Sequence, residues 1–139
     1  MKKILLMSIL CTVTLAGFAP GNKVLYIAKE AQISPYEPLW EATSWVESSN
    51  NDRALNRKEM AFGRVQIRKV RLDDYYKRTG KRYKLTDCYN PEISKEIWIY
   101  YATQFSPYDY EHISKSWNGR GKSNRIYWSK IEKRLKSRK

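Results

Sequence analysis

The sequence predicts a mainly α-helical domain, and three observations lead to this prediction. Apolar side chains recur three and four positions apart in several segments, the spacing that places them on one side of a helix. Proline, asparagine and glycine stand where such segments begin or end. No segment alternates apolar and polar residues for long, as a half-buried strand does. The 139 residues therefore fit one domain, with roughly five to seven helices.

The first core helix should run from Pro38 to Ser48, because proline suits the first turn of a helix. A turn cluster over residues 48–52 ends it. Before it lies a lead-in segment, residues 20–38, with a short helix expected over residues 24–31. The helically spaced positions of the first core helix are Leu39, Ala42, Thr43 and Val46.

The next segments predict a loop over residues 52–63 and a second core helix over residues 64–78, which Gly80 ends. Asn90 predicts the start of a third helix, because asparagine caps a helix and Pro91 follows it. The inward side chains of the second helix should be Ile67, Val70 and Tyr75.

Two further helices complete the prediction. The first spans residues 109–117 and is followed by a loop over residues 118–121, which contains two glycines. The last starts near Ser123 and runs into the basic C-terminal end. Most aromatic residues fall within these helical segments, so we expect them to fill the core.

The N-terminus has the layout of a secretory signal peptide over residues 1–19. Lys2 and Lys3 precede an apolar run over residues 4–15, and small residues follow. We expect export to the periplasm or cell envelope, with the mature chain beginning between about residues 17 and 22. Lipidation at Cys11 is an alternative, although the preceding residues match a lipidation motif poorly.

The formal net charge is +13, and removing the two signal-peptide lysines leaves about +11. A basic protein attracts anionic partners, which here could be nucleic acid, anionic lipid or a cell-wall polymer. Export makes nucleic acid the least expected of these. A basic tail over residues 136–139 could hold the protein near an anionic wall or lipid surface, but charge that serves only solubility is an equally simple interpretation.

The chemistry of the mature chain is limited to few residue types. It contains one histidine, His112, and one cysteine, Cys88, which cannot build a closed zinc site. No glycine-rich phosphate loop is present, so we expect neither a metal nor a cofactor. Cys88 reads as a small buried residue, since nothing in the sequence connects it to His112. Carboxylates remain as the candidates for catalysis.

Glu47 is the strongest of these candidates, because it follows Trp45 and Val46 at the end of the first helix. Apolar surroundings disfavour an ionised carboxylate and raise its pKa. A glutamic acid that keeps its proton near neutral pH can donate it to a leaving oxygen, the pattern that lysozyme illustrates. The simpler interpretation is a solvated surface glutamate.

Four segments occur in a suggestive order: Glu47-Ser48, the stretch Ala61–Ile67, the stretch Ser116–Gly119, and Tyr127. In these segments the sequence resembles the catalytic domain of soluble lytic transglycosylases, which are similar to goose-type lysozymes. The resemblance covers roughly residues 39–135. It implies a lysozyme-like helical fold with a sugar-binding cleft, and cleavage of the β-1,4 bond between N-acetylmuramic acid and N-acetylglucosamine in peptidoglycan.

The resemblance also implies roles for individual residues. Glu47 matches the catalytic acid and base, and Ser48 matches the residue that follows it. Three departures from the family motifs affect the cleft: Arg64-Val65 replaces Leu-Met, Trp117 replaces tyrosine, and one residue is missing between Asn118 and Gly119. The remaining substrate-binding candidates are Gly63, Gln66, Trp117, Asn118, Gly119 and Tyr127, with sugar stacking expected only from Trp117 and Tyr127.

The family that this chain resembles uses a single acid and closes a 1,6-anhydro ring without consuming water. Glu59 could instead position a water molecule for hydrolysis, although a solvated loop acid beside Arg57 and Lys58 is the simpler expectation. Asp73 and Asp74 are expected to be surface charges. Two rival functions stay open, a glycan-binding or weakly active wall module on the same fold and, more remotely, a basic nucleic-acid-binding protein.

Overall fold

A computed structural model describes residues 34–119, 121 and 123–137 of the chain. This part is mainly helical, which confirms the predicted class. The signal peptide and the short helix expected over residues 24–31 lie outside the described residues. None of the described helices combines the length and the apolarity that a membrane crossing requires. The elements are α1 (Glu37–Ser48), β1 (Leu55–Asn56), β2 (Ala61–Phe62), β3 (Ile67–Arg68), α2 (Lys69–Thr79), a 3-10 helix (Leu85–Tyr89), α3 (Pro91–Ala102), α4 (Tyr110–Asn118) and α5 (Asn124–Lys136).

Helix α1 begins and ends close to the predicted positions. Pro38 occupies its first turn, where the missing N–H is not needed for a helical hydrogen bond. The helix stops where Ser49 adopts a left-handed conformation, with φ of 55°. The Ser49 N–H then donates to the Trp45 carbonyl at 2.8 Å. The apolar face of α1 packs against α5, and this packing places the last turn of α1 beside that helix.

The region between α1 and α2 was predicted incorrectly as a loop followed by a helix from Arg64. It is a three-stranded antiparallel sheet in the order β1-β2-β3, with Leu55 opposite Phe62 and Ala61 opposite Arg68. Strands of two residues are too short for the alternation of apolar and polar residues to be visible in the sequence. Met60 and Gln66 supply the turns with φ of 49° and 54°, conformations that propensity rules do not assign to these residues.

The shorter helix α2 also changes which side chains face inward. Leu72 and Tyr75 are buried, whereas Val70 is 71% exposed and does not belong to the core. Val70 lies two positions before Leu72, which puts it on roughly the opposite side of the helix. Ile67 is buried as expected, but from strand β3.

Gly63 fixes the sheet against the 3-10 helix. It is buried with φ of 76°, and a Cβ atom there would lie 2.0 Å from the Cys88 carbonyl oxygen. Only glycine permits this approach. The same carbonyl accepts a hydrogen bond from Ser94 Oγ at 2.6 Å. Cys88 itself is fully buried, as predicted.

The remaining helices follow the predicted starts. The side chain of Asn90 accepts the Glu92 N–H at 2.9 Å and caps α3, and Asp109 caps α4 by accepting the His112 N–H at 3.0 Å. Helix α5 begins one residue after Ser123. The core joins residues from every α-helix, among them Leu39, Trp40, Leu72, Tyr75, Ile97, Trp98, Ile113, Trp117, Tyr127 and Ile131.

Candidate active site

Glu47 occupies the last turn of α1, and its neighbour Ser48 fixes that turn to the sheet. Ser48 Oγ donates to the Arg64 carbonyl at 2.7 Å and accepts the Asn51 N–H at 3.1 Å. These bonds hold the end of α1 against the β2–β3 turn. Ser48 therefore fixes the backbone beside Glu47 and does not line the pocket, which differs from the substrate contact that the sequence predicts.

The Glu47 carboxyl is largely shielded from solvent, although the residue as a whole is only half-buried. Burial raises its pKa from 4.5 to about 7. A hydrogen bond from Tyr127 and the positive charges of Arg68 and Lys130 act in the opposite direction but do not cancel this effect. Near neutral pH the group is therefore divided between its protonated and ionised forms.

Tyr127 holds this carboxyl from helix α5. Its hydroxyl donates to Glu47 Oε1 at 2.7 Å. Burial raises the pKa of Tyr127 well above its ordinary value, so the hydroxyl keeps its proton and remains a donor. Tyr127 is itself buried and does not line the adjacent pocket. This differs from the direct stacking on sugar that we expected of Tyr127.

Trp45 does not provide the apolar surroundings of Glu47, contrary to the sequence-based argument. It is 42% exposed, and the Arg134 guanidinium lies 4.0 Å from its ring centroid. Residues two positions apart lie about 200° apart around a helix, so Trp45 and Glu47 face different sides of α1. The shielding of Glu47 comes from tertiary contacts such as that with Tyr127.

Glu47 opens onto a pocket of about 420 Å³. The pocket brings together one acid from α1, the β2–β3 turn, one face of α2 and the end of α4. Its lining residues are Glu47, Glu59, Gln66, Ile67, Arg68, Val70, Arg71, Asp74, Trp117, Asn118 and Gly119. Five predicted site residues and Glu59, the possible second acid, thus line the same pocket. Ser48, Gly63 and Tyr127 do not line it and instead support the residues that do.

Two of the side chains that line this pocket, Gln66 and Asn118, end in amides. Gln66 Nε2 donates to the Gly63 carbonyl at 2.9 Å, and Asn118 Nδ2 donates to Asn124 Oδ1 at 2.6 Å. Among the described residues, neither amide oxygen receives a hydrogen bond from the protein. Gln66 adopts its left-handed backbone at this position, a conformation that costs about 1–2 kcal/mol for a non-glycine residue. The turn thus fixes the direction of the Gln66 side chain.

Arg71 is a site residue that sequence reasoning missed. Its guanidinium lies 4.4 Å from the Tyr101 ring centroid and 4.7 Å from that of Trp117. Arg71 Nη2 also donates to the Trp117 carbonyl at 3.0 Å. Trp117 is buried, and this cation covers part of its ring, which reduces the surface that could stack on a sugar.

Arg68 and Asp74 were also missed as pocket residues. Asp74 is partly exposed and paired with Arg78, as expected of a surface charge, but it also lines the pocket and accepts hydrogen bonds from the Tyr101 hydroxyl at 2.8 Å and Arg78 Nε at 2.9 Å. The Tyr101 hydrogen bond lowers the pKa of Asp74, with a further contribution from Arg78. Arg71 and Asp74 are three positions apart on α2, which places both on one face of that helix, and Arg68 precedes them at the end of β3. That spacing was the signal that could have found Arg71 and Asp74.

Glu59 lies at the exposed rim of the pocket. Its backbone N–H donates to Asn56 Oδ1 at 3.2 Å, which holds the loop between β1 and β2. Its carboxylate lies 3.9 Å from Arg68 Nη1, so its cationic neighbour comes from the end of β3 rather than from Arg57 or Lys58. Asp73 is an exposed partner of Lys69 at 2.6 Å, as a surface charge was expected to be.

The remaining reactive side chains lie away from Glu47. Burial raises the pKa of Cys88 to about 12, so its thiol stays protonated. His112 is exposed and packs against Phe105 at 4.5 Å between ring centroids. Within the described residues no group of three or more His, Cys, Asp and Glu side chains is arranged to hold a metal ion.

The arrangement therefore offers one chemistry, a buried carboxyl that can give and take a proton near neutral pH at the wall of an open pocket. Amide oxygens and arginine side chains surround the space in front of it. Comparison with protein-family models, with curated proteins and with solved structures finds no match for this chain. The functional conclusion accordingly depends on the residues and their geometry.

Proposed function

We propose that this chain is an exported enzyme that cleaves the β-1,4 bond between N-acetylmuramic acid and N-acetylglucosamine in peptidoglycan. The reaction is lytic transglycosylation, with Glu47 as the single acid and base. The observation that carries the proposal is the Glu47 carboxyl, which has a pKa of about 7, accepts the Tyr127 hydroxyl and opens onto a polar pocket. A carboxyl of this kind fits a step that needs a proton first and a base afterwards.

In the first step Glu47 donates its proton to the glycosidic oxygen. The bond between that oxygen and the muramoyl C1 breaks, and the N-acetylglucosamine portion leaves with a neutral 4-hydroxyl. The acetamido group of the muramoyl residue shields the cationic C1. Burial of Glu47 favours this step because it keeps the carboxyl partly protonated at neutral pH.

In the second step Glu47 acts as a base. The ionised carboxylate accepts the proton of the muramoyl 6-hydroxyl, and O6 forms a bond to C1. The product is a 1,6-anhydro ring, Glu47 regains its proton, and no water is consumed. The bond from Tyr127 at 2.7 Å supports this step because it stabilises the carboxylate form of Glu47 between the two proton transfers.

The order of the elements around the pocket supports a lysozyme-like fold with a sugar-binding cleft as part of the same proposal. The acid stands at a helix end, the turn with Gly63 and Gln66 faces it, and Asn118 approaches from the end of α4. In this role the free amide oxygens of Gln66 and Asn118 accept hydrogen bonds from sugar hydroxyl and N–H groups. Gly63 supports the turn, and Trp117 contributes wall surface more than an open stacking face.

Hydrolysis is the second candidate, and the placement of Glu59 favours it. The Glu59 carboxylate is exposed at the rim of the pocket that Glu47 lines, where it could orient a water molecule. Enzymes with two acids use that arrangement to add water at C1. The Arg68 side chain, 3.9 Å away, competes for the same carboxylate.

Mass spectrometry of the products from purified peptidoglycan tests the proposal. Transglycosylation releases muropeptides with a 1,6-anhydro end, whereas hydrolysis releases reducing ends that are heavier by one water molecule. Glu47→Gln should abolish release of both. Glu59→Gln should leave the anhydro products unchanged. Binding of glycan strands with no product from the wild type would show a glycan-binding module and overturn the proposal.

A further inference from the structure

A second pocket lies on the other side of α1 from Glu47, with a volume of about 450 Å³. It is formed where the end of α1 meets the last turns of α5. We call it the Trp45 surface. Its walls include Trp45, Ser49, Lys130, Lys133, Arg134 and Ser137. No residue of this surface contacts the substrate in the proposed reaction, although the charge of Lys130 also acts on Glu47 and lowers its pKa. The inference that follows does not depend on the proposed function.

Within the described residues, no carboxylate pairs with the cations of the Trp45 surface. No acid lines it, and among the described residues neither Lys130 nor Lys133 makes an ion pair. Arg134 meets the indole ring of Trp45 instead of a carboxylate. Five other lysines, by contrast, each contact a carboxylate at 2.5–2.8 Å: Lys69, Lys81, Lys95, Lys115 and Lys136. The surface therefore concentrates positive charge that no carboxylate in the described part of the chain neutralises.

The same region also exposes large apolar groups. Trp45 is 42% exposed, and Ile126 on α5 is 63% exposed. Ile126 lies four positions before Lys130 and eight before Arg134, so the three share one side of the helix. A helix side that combines lysines and arginine with tryptophan and isoleucine has the composition of a segment that lies at a membrane interface.

We propose that the Trp45 surface docks the protein onto membranes that contain anionic phospholipids. Lys130 and Lys133 meet the lipid phosphates, and the indole of Trp45 lies at the level of the headgroups, where amphipathic aromatic rings are favoured. Trp45 and Glu47 lie about 200° apart around α1, so docking leaves the Glu47 pocket open to a substrate on the other side. The membrane thus concentrates the protein without covering the candidate active site.

The test is co-sedimentation of the mature protein with vesicles of phosphatidylcholine alone and of phosphatidylcholine mixed with an equal amount of phosphatidylglycerol. We expect binding to the mixed vesicles only, decreasing with added salt. Lys130→Gln with Lys133→Gln should weaken that binding by on the order of 25-fold, about fivefold for each cation. The matched control removes the same charge elsewhere, with Lys58→Gln and Lys77→Gln. Equal weakening by the control pair would overturn the proposal, since net charge alone would then explain binding.

A second measurement tests the role of Trp45. Phosphatidylglycerol with brominated acyl chains should quench tryptophan fluorescence of the wild type, and Trp45→Phe should remove that quenching while circular dichroism stays unchanged. Unchanged quenching in the variant would place the membrane contact elsewhere and overturn the proposal. Binding to soluble polyphosphate or duplex DNA as tight as to vesicles, and independent of Trp45, would assign the surface to polyanions instead and also overturn it.

Discussion

Glu47 and Asp74 line the same pocket, and each accepts a hydrogen bond from a tyrosine hydroxyl, at 2.7 and 2.8 Å. Their proton affinities nevertheless move in opposite directions. Burial raises the pKa of Glu47 to about 7, whereas hydrogen bonding, first from Tyr101, lowers that of Asp74. The pocket therefore holds one carboxyl that is divided between its protonated and ionised forms at neutral pH and another that carries a fixed negative charge.

The difference lies in what surrounds each carboxyl beyond its tyrosine. Arg78 donates directly to Asp74 at 2.9 Å, and Asp74 remains accessible to water. Glu47 has no such ion pair among the described residues, and its cations act only from a distance. A tyrosine hydrogen bond alone therefore does not decide protonation, because desolvation is the larger effect at Glu47. Opposed pKa shifts in one site are the pattern expected of an acid and a supporting charge.

The largest effect should come from removing the proton donor. Glu47→Gln keeps the size of the side chain but cannot protonate a leaving oxygen, so release of products from peptidoglycan should fall by about 10²-fold or more. Asp74→Asn is the matched control in the opposite wall and should retain activity within about tenfold. Comparable losses in both variants would remove the distinction between the two carboxyls, and an active Glu47→Gln protein would refute the catalytic assignment.

Stability should reveal the same contrast. The folded-state pKa of Glu47, about 7, lies above the ordinary value of 4.5, so the folded protein binds this proton more tightly than the unfolded chain does. Wild type therefore loses stability from this group as pH rises through that interval. Relative to wild type, Glu47→Gln should gain about 3 kcal/mol in free energy of unfolding over that rise. Urea denaturation at several pH values measures the difference.

Asp74 serves as the control of opposite sign in that experiment. Its lowered pKa means that its contribution is present above the ordinary value of 3.8 and is lost as pH falls below it. Asp74→Asn should therefore cost about 0.5–1 kcal/mol at neutral pH, the scale of an exposed ion pair. A pH-independent difference for Glu47→Gln would show that the Glu47 carboxyl is not desolvated in the folded protein.

Tyr127→Phe should sharpen the comparison. As the general acid, Glu47 must be protonated, so kcat/KM should fall as pH rises above about 7 in the wild type. The Tyr127 hydrogen bond lowers the pKa of Glu47, and its loss should move that decline to higher pH. The cost in stability should be about 1 kcal/mol, that of one hydrogen bond. Tyr110→Phe, which removes a hydroxyl that donates to the Pro35 carbonyl, should leave the pH profile unchanged.

The smallest effect concerns the turn beside Glu47. Glycine adopts the left-handed backbone of Gln66 without strain, so Gln66→Gly should be about 1 kcal/mol more stable than Gln66→Ala. Both variants lack the amide oxygen that we assign to a sugar contact, and activity should fall about threefold to tenfold in each. Thermal denaturation and product release separate the two effects. If the more stable of these two variants is also the more active one, Gln66 has a structural role and does not contact the sugar.

The sequence by itself determined the helical class and most helix starts, because capping and proline signals such as Asn90-Pro91 act within a few residues. It also singled out Glu47, Gln66 and Asn118, which the fold brings to one pocket. The sequence did not predict the sheet over residues 55–68, because backbone contacts between segments, rather than local periodicity, decide how two-residue strands pair.

Only the tertiary structure decided how Glu47 acquires its pKa. The adjacent Trp45 turns away on the same helix, and the shielding comes with Tyr127, which lies 80 positions along the chain. The same holds for Arg71, whose guanidinium meets Tyr101 and Trp117 from two other helices. Desolvation depends on which segments pack together, and that information is distributed over long-range contacts that no single stretch of sequence contains.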